Sequence, residues 1–392
     1  MAAQQLNDTD VSAPILLDRR GILKSAGMLS ASAVLGVSAL AKPPKKSAAR
    51  PARQPQGSRG RTGNLSGKLI GFMLPHEQFK VPELVELGVA AENAGFDLLA
   101  TSDHLQPWQV NEGHSGLAWV TMAAIGQRTK RVWIGTTVTC PTFRYTPPVV
   151  AEAFASLDLL YPGRIFLGVG SGEALNEEAG VGVWPKWPER SERLVEATEI
   201  IRRLWTGQQI SHKNKYYTVN AKLYDPPMAP LPLLMAGNGP KAMYRCGRYA
   251  DGLVTDGKTW KQHKPEFERG ARDAGKYPAK MPVLVETYVV VGGRSDAEKA
   301  AELWRFGPKA FKSYYNIRDP QTIQDRADKE VPLKEVYEDW PVSTDPEVHI
   351  QAVEKLFASG ATIVNIHTGQ QDQRRVIEFY GERVIPKLRR AQ

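Results

Sequence analysis

Short apolar segments alternate with longer amphipathic segments along most of the chain. Apolar runs bounded by turn residues predict buried strands, and apolar residues at helical spacing predict helices. We predict the first four strands at 68–74, 97–101, 131–138 and 165–169. We predict helices after the first three of them at 81–95, 117–128 and 147–160. Gly95 marks the end of the first helix and Pro147 the start of the third.

The pattern loosens after residue 174 and then resumes. A helix at 191–205 and a polar hairpin around 212–219 interrupt it. Four more strands are predicted at 233–236, 252–255, 283–291 and 362–366, with helices at 240–249, 264–274 and 346–358. Eight strands alternating with helices favour a (β/α)₈ TIM barrel with insertions over residues 68–392, of class α/β. An open doubly wound sheet is the alternative, but no glycine-rich dinucleotide turn follows the first strand.

The N-terminal residues have a different character. Arg19 and Arg20 precede a weakly apolar stretch, and Ala39-Leu40-Ala41 offers a cleavage site, which is the layout of an export signal. The arginine pair resembles a twin-arginine signal, so residues 1–41 predict export through that machinery to the periplasm or cell envelope. Residues 42–67 are basic and almost without apolar side chains, which predicts a disordered linker.

The net charge of +9 is concentrated in this region. Residues 1–67 contain ten basic and three acidic side chains, so residues 68–392 carry only about +2. A nucleic-acid partner is therefore not indicated. The two cysteines exclude a disulfide framework, and no metal-ligand spacing is present, so we expect no metal.

Chemically useful residues cluster where the predicted strands end, which is the catalytic rim of a barrel. His104 follows the second strand and can exchange protons near neutral pH, with Asp103 beside it. Glu173 follows the fourth strand between flexible turns and offers a second proton site. A purely structural histidine and a helix-capping carboxylate are the alternatives. His76, after the first strand, is a candidate wall of the substrate pocket.

Gly237-Asn238-Gly239 precede a predicted helix after the fifth strand. Free backbone N–H groups at a helix start can bind an anion, such as the phosphate of a cofactor. By itself this signal is weak, because many barrel turns are rich in glycine.

Long ungapped motifs make the sequence similar to a known family. The segments "TSDHLQPW" (101–108), "CPTFRY" (140–145), "LYPGRIFLGVGSGEALNE" (160–177) and "GRYADG" (247–252) resemble the coenzyme F-420-dependent glucose-6-phosphate dehydrogenases of the luciferase-like superfamily. The export signal and "NEGHS" (111–115) are closer to the exported branch that includes the F-420-dependent hydroxymycolic acid dehydrogenase. The match spans about residues 69–388.

The resemblance implies a deazaflavin cofactor, F-420, and hydride transfer from a secondary carbinol carbon to its ring carbon C5. It implies that His104 is the base for the substrate hydroxyl, that Trp108 packs at the reacting centre, and that Glu173 protonates the ring. It also implies a cis peptide at Thr137-Val138. The cofactor contacts implied are Asp103, Thr137, Val138, Gly170, Asn176, Gly237, Asn238 and Gly239. The resemblance also allows the protein to form a homodimer.

One departure from the family bears on the substrate. Sugar-phosphate members bind the phosphate with three basic residues, of which Lys258 matches the first. The alignment places Tyr314 and Asp339 at the other two positions, and an aspartate repels a phosphate dianion. We therefore expect Lys258, Tyr314 and His76 to contact an uncharged secondary alcohol, such as a free sugar or a hydroxylated lipid.

The leading interpretation is an exported F-420-dependent alcohol or sugar dehydrogenase. Two alternatives stay open from the sequence. One is an FMN-dependent luciferase-like monooxygenase, which would consume oxygen. The other is a non-catalytic barrel that binds a cofactor or a sugar.

Overall fold

The computed structural model describes residues 65–390, so the predicted signal at 1–41 and nearly all of the predicted linker lie outside the described residues. Its strands are β1 Leu69–Leu74, β2 Leu98–Thr101, β3 Trp133–Thr136, β4 Ile165–Val169, β5 Ile210–Lys213, β6 Thr218–Ala221, β7 Leu233–Ala236, β8 Gly252–Asp256, β9 Val283–Tyr288 and β10 Ile363–His367.

The helices are named in chain order over the same residues. They are α1 Val81–Asn93, α2 Ala118–Arg128, α3 Pro147–Leu160, α4 Glu177–Val181, α5 Trp187–Leu204, α6 Pro240–Tyr249, α7 Gly257–Asp273, α8 Arg294–Leu303, α9 Pro320–Glu330, α10 Leu333–Tyr337, α11 Pro346–Ser359, α12 Gln373–Phe379 and α13 Ile385–Arg390. Two π-helical turns, Ala310–Tyr314 and Tyr380–Val384, add to them.

Eight of the strands close into a parallel barrel, in the order β1-β10-β9-β8-β7-β4-β3-β2. The barrel closes between the first and last strands, where Leu69 is aligned with Ile363. Strands β5 and β6 form a separate antiparallel hairpin in the insertion after β4. The predicted barrel with insertions is therefore confirmed, together with the hairpin.

Each barrel strand sends alternate side chains to the two sides of the sheet, as the twofold strand repeat requires. One cluster fills the barrel interior and includes Leu69, Trp133 and Phe166. The larger cluster lies between the strands and the helices and includes Ile70, Phe72 and Ile134. Both sides of each strand are buried, which is why the strands appear in the sequence as nearly continuous apolar runs.

Leu65 corrects the predicted linker boundary. The sequence assigned residues 65–67 to a disordered linker, yet Leu65 is only 2% exposed and belongs to the cluster that fills the barrel interior. Burying one leucine stabilises the folded state by about 1.5–3 kcal/mol. The folded domain therefore begins no later than this residue.

Helix α7 begins seven residues before the predicted start. The Asp256 side chain accepts hydrogen bonds from the backbone N–H groups of Lys258 and Thr259, which satisfies the donors of the first turn. The helix then bends at His263, just before Pro265. The predicted start at residue 264 lies beside this proline, which here marks a kink inside a longer helix.

The segment 289–345, called here the β9–β10 insertion, contains helices α8 to α10, which the sequence pattern did not predict. These helices enclose a small core of their own that includes Trp304, Phe306 and Ile323, and Trp108 from the β2 loop packs into it. No helix within residues 65–390 is long and apolar enough to cross a membrane.

Candidate active site

The predicted site residues meet at one rim of the barrel. His104 follows β2, Thr137-Val138 follow β3, Glu173 follows β4, Gly237 to Gly239 follow β7, and Lys258 starts α7 after β8. In a closed parallel barrel the carboxyl ends of all strands share one face. Residues far apart in sequence are therefore placed around a common opening.

His104 is held against a carboxylate. Its Nδ1 lies 3.0 Å from Oε1 of Glu77, and its side chain is 12% exposed. The two atoms are in close contact, although their geometry is not that of an aligned hydrogen bond. The other oxygen of Glu77 accepts a 2.7 Å hydrogen bond from the Ser102 hydroxyl, which fixes the carboxylate. Since Nδ1 faces Glu77, Nε2 is the nitrogen that can exchange a proton with a substrate.

A second buried carboxyl, Glu112, lies near this pair. Its Oε2 accepts a 2.8 Å hydrogen bond from the backbone N–H of Gln109, and its other oxygen has no partner among the described residues. Burial raises the pKa of Glu112 well above its usual value, and the charge of Glu77 raises it further. These effects favour a protonated Glu112 beside the carboxylate of Glu77.

Trp108 forms an aromatic wall beside His104. It is 4% exposed, and its ring stacks on Phe306 with centroids 4.7 Å apart. Phe311 and His104 lie at its edges, with centroids 6.0 and 6.1 Å away. Trp304 continues the wall from the β9–β10 insertion, since it packs 5.5 Å from Phe306. These aromatic side chains therefore form an apolar surface beside the imidazole ring of His104.

Asn176 ties the His104 loop to the Glu173 loop. Its amide oxygen accepts a 2.8 Å hydrogen bond from the backbone N–H of Leu105. Its amide nitrogen donates to Oε2 of Glu173 at 3.3 Å. Glu173 itself is half-buried, so its carboxyl is accessible from the opening. Asn176 thus fixes the spacing of the two predicted proton-transfer groups.

Glu177 adds a buried carboxyl one turn further on. Burial raises its pKa to about 7, opposed by the backbone N–H and the charge of Arg144. Its Oε2 accepts that N–H at 2.9 Å. The absence of a Cβ at Gly172 allows this approach, because a Cβ at that position would lie 2.7 Å from Cγ of Glu177.

Asp103 is enclosed by protein groups. One oxygen accepts from Arg144 at 2.9 Å and from the Tyr145 hydroxyl at 3.2 Å, and the other accepts from Thr139 at 2.6 Å. Its side chain has no exposed area. The carboxylate holds the β2 and β3 loops together, and its direct contact with a cofactor stays a prediction.

The predicted cis peptide between Thr137 and Val138 is confirmed. Both side chains are half-buried at the rim. Gly170 faces them, and a Cβ there would lie 2.5 Å from Val138 Cγ2. The absence of a side chain at Gly170 therefore lets the β3 and β4 loops pack closely beneath the opening.

The Gly237-Asn238-Gly239 turn leads directly into α6, as predicted. A Cβ at Gly239 would meet no atom within 4 Å, so the helix start faces open space. Lys258 is exposed at the start of α7. Backbone donors at the first turn of α6 are therefore available to an anion.

Two predicted substrate contacts are wrong. His76 is fully buried, and its ring nitrogens lie 2.9 Å from Thr101 Oγ1 and 2.8 Å from Thr121 Oγ1. Burial lowers its pKa, so it is a neutral structural histidine. Tyr314 is also fully buried, in the core of the β9–β10 insertion, and its hydroxyl donates to Glu330 at 3.1 Å. Neither side chain reaches the opening.

Glu77 and Glu112 are the residues that sequence reasoning missed. Glu77 follows β1 directly, as His104 follows β2, so its place at a strand end was a usable signal. Glu112 lies in an irregular loop and shows no pattern in the sequence. Within residues 65–390, no cluster of three or more His, Cys, Asp or Glu side chains is arranged to hold a metal ion.

A parallel eight-stranded barrel with proton-transfer groups on its carboxyl rim defines the class of the protein. The luciferase-like monooxygenase family model matches residues 62–361, and the chain belongs to this family. Within the family it groups with F-420-dependent dehydrogenases. It is 43% identical to the F-420-dependent hydroxymycolic acid dehydrogenase of Mycobacterium tuberculosis, over 82% of this chain and 88% of that one.

Two further comparisons agree. The chain is 39% identical to the F-420-dependent glucose-6-phosphate dehydrogenase of Mycolicibacterium gilvum, over 82% of this chain and 98% of that one. An F-420-dependent secondary alcohol dehydrogenase, solved with an F-420-acetone adduct, superposes with a TM-score of 0.77 at 34% identity. That match covers 82% of this chain and 99% of the solved one.

Proposed function

We propose that this protein is an F-420-dependent dehydrogenase that removes a hydride from an uncharged secondary alcohol. The observation that carries the proposal is the His104–Glu77 pair, set beside the Trp108 wall and linked through Asn176 to Glu173. The relatives support the cofactor and the reaction class, since those at 39–43% identity are named F-420-dependent dehydrogenases.

The rim fits the cofactor. Gly239 faces open space at the start of α6, where backbone N–H groups can hold a phosphate. Gly170, Val138 and the half-buried Glu173 border the opening, where a flat ring system would lie. When bound, F-420 supplies a ring carbon that accepts the hydride.

The protein side chains manage the protons of this reaction. His104 accepts the proton of the substrate hydroxyl, and the negative charge of Glu77 stabilises the imidazolium that results. Glu173 carries a second carboxyl that can donate a proton, on a loop that Asn176 ties to the His104 loop. The wall formed by Trp108 and Phe306 excludes water from the reacting centre.

The surroundings of the rim favour an uncharged substrate. Lys258 is an exposed cation, while Tyr314, at a position where sugar-phosphate enzymes have a basic residue, is buried and bonded to Glu330. The aromatic side chains Trp108, Phe306 and Phe311 suit an apolar substituent better than a dianion. A hydroxylated lipid or a free sugar is therefore the substrate class that we propose.

The test is a titration of the purified protein with F-420 and with FMN, followed by a screen of secondary alcohols, free sugars and sugar phosphates for reduction of F-420. We expect binding of F-420 and turnover with uncharged alcohols. Tight binding of FMN without F-420, together with oxygen consumption, would instead identify a monooxygenase. Binding without any change in deazaflavin absorbance would identify a non-catalytic binding protein.

The cellular location is a separate part of the proposal. The arginine pair, the apolar stretch and the cleavage site occur in the order of a twin-arginine signal. This route moves folded proteins, which suits an enzyme that must acquire its cofactor before export. We therefore place the mature enzyme in the periplasm or cell envelope.

A further inference from the structure

Arg190 is a buried cation with no ion-pair partner. Arg190 is 2% exposed. Among the described residues, no carboxylate lies within ion-pair distance of its guanidinium, and the nearby Glu189 pairs with Arg193 instead. One nitrogen, Nη1, donates to the Pro185 carbonyl at 2.9 Å, whereas Nε is buried and has no hydrogen-bond partner there. Burial lowers its pKa. A buried charge without a counter-charge is costly, so its retention calls for an explanation.

The guanidinium lies between two aromatic rings. It is 3.7 Å from the centroid of Trp184 and 5.4 Å from that of Tyr315. The Trp184 indole N–H donates to the Asn316 side chain at 2.9 Å, which fastens the α5 side of this arrangement to the β9–β10 insertion. These contacts hold the cation in place without neutralising it.

A cleft of about 260 Å³ opens onto this arginine. Its lining includes Trp184, Lys186, Trp187, Arg190, Tyr315 and Asn316, with two cations and no carboxylate. The 18-residue helix α5 begins at Trp187, so the positive end of its dipole faces the cleft. A third cation, Arg245 of α6, lies 4.7 Å from the Trp187 ring.

The nearest acidic groups are committed elsewhere or lie beyond contact. Glu189 pairs with Arg193 at 2.7 Å, and Glu192 pairs with Lys215 at 2.8 Å. Glu173 attracts Arg190 only through longer-range electrostatics. The Tyr315 carbonyl accepts a 2.9 Å hydrogen bond from the backbone N–H of Ala174, which places the cleft beside the loop that carries Glu173, the rim carboxyl on which the proposed chemistry depends.

We infer that this cleft, called here the Arg190 cleft, binds a carboxylate, and that Arg190 supplies the opposing charge. This inference rests on the proposed function for the source of the anion. Coenzyme F-420 carries a phosphodiester and carboxylates on a flexible side chain, so that with its phosphate at the start of α6 its carboxylates would remain for the Arg190 cleft. Arg190 therefore selects the complete cofactor over its uncharged ring fragment.

The experiment compares F-420 with its fragment that lacks the phosphate and carboxylates, by calorimetry and deazaflavin fluorescence. We expect the wild type to bind F-420 more tightly than the fragment. Arg190→Met should weaken F-420 binding about tenfold and leave fragment binding unchanged, since a charge-assisted hydrogen bond contributes about that much. Arg193→Met is the matched control, because its guanidinium lies three residues further along α5 and pairs with Glu189.

Lys186→Gln provides a second, exposed variant in case Arg190→Met does not fold, and it should weaken F-420 binding in the same direction. Glutarate, a free dicarboxylate, should quench tryptophan fluorescence of the wild type more than that of Arg190→Met. Equal affinity of the wild type for F-420 and the fragment would overturn the inference while leaving the cofactor in place. If Arg190→Met lowered the affinity for F-420 and for the fragment equally, Arg190 would act through Glu173 rather than on an anionic group, which would also overturn the inference. If the wild type bound neither F-420 nor the fragment, the result would contradict the proposed function itself.

Discussion

The reactivity of His104 depends on what surrounds its ring. Its Nδ1 faces the buried carboxylate of Glu77, and its ring centroid lies 6.1 Å from that of Trp108. A carboxylate stabilises the imidazolium that forms when the ring accepts a proton, and an apolar wall strengthens that interaction by excluding water. These contacts distinguish His104 from the fully bonded, buried His76.

We expect His104→Ala to lower the rate of alcohol oxidation by about 10²- to 10⁴-fold, the usual contribution of general-base catalysis. Its affinity for F-420 should be unchanged, because the variant removes only the group that accepts the substrate proton. The measurements are steady-state F-420 reduction and fluorescence titration. His263→Ala on α7 is the control, and full activity of His104→Ala would place the base elsewhere.

Glu177 makes stability depend on pH. Its pKa is raised from 4.5 to about 7 in the folded protein by burial. The unfolded chain therefore releases this proton first, so the stability that the group contributes is complete below about pH 4.5 and is lost as the pH rises through about 7. A shift of this size corresponds to about 3 kcal/mol.

We expect the free energy of unfolding of the wild type to fall between pH 5 and pH 8 by more than that of Glu177→Gln. The glutamine keeps the acceptor for the backbone N–H of Arg144 but cannot ionise. Urea denaturation at the two pH values measures the difference. The same pH dependence in both proteins would contradict the assignment of the shifted pKa to Glu177.

Among the elements, α6 and α7 pack unusually closely. A Cβ at Gly270 would lie 2.0 Å from the Tyr244 carbonyl oxygen, and one at Gly247 would lie 2.1 Å from that of Phe267. Both contacts are with backbone atoms, which cannot move aside as a side chain can. The crossing of these helices therefore depends on glycine at both positions, which lie near the C-terminal ends of α6 and α7.

We expect Gly270→Ala to destabilise the protein by about 1–3 kcal/mol through overpacking. The folded variant should bind the F-420 ring fragment as tightly as the wild type does, because the contact between α6 and α7 lies away from the rim. Thermal unfolding measures the loss. Gly293→Ala is the control, since a Cβ there would meet no atom within 4 Å. Equal melting temperatures for the two variants would show that the helices can separate at little cost.

Elements with regular patterns were predictable, and those in the β9–β10 insertion were not. The strand Ile165–Val169 and the helices Pro147–Leu160 and Pro240–Tyr249 match the predicted bounds. Helix α9 is instead polar over most of its length and buries only Pro320, Ile323 and Ala327. Its stability comes from packing on a small separate core, which a local pattern does not reveal.

The whole molecule combines a nearly neutral barrel with a basic N-terminal region outside the described residues. We expect replacement of Arg19 and Arg20 by lysine to retain the protein in the cytoplasm, since the twin-arginine machinery requires the pair. Cell fractionation and immunoblotting of the producing bacterium measure this. Replacement of Lys45 and Lys46 by glutamine is the control, and export of the double-lysine variant would contradict the prediction.

The sequence by itself determined the barrel and most of its rim, because strands buried on both sides leave continuous apolar runs and the residues that follow them must share one face. It also placed His104, Trp108 and Glu173 at strand ends. Only the tertiary structure decided which side chains face the opening. Tyr314 and His76 are turned into the protein, whereas Glu77 and Arg190 meet groups far away in sequence. Such contacts depend on how loops from different strands pack, and no local pattern records that packing.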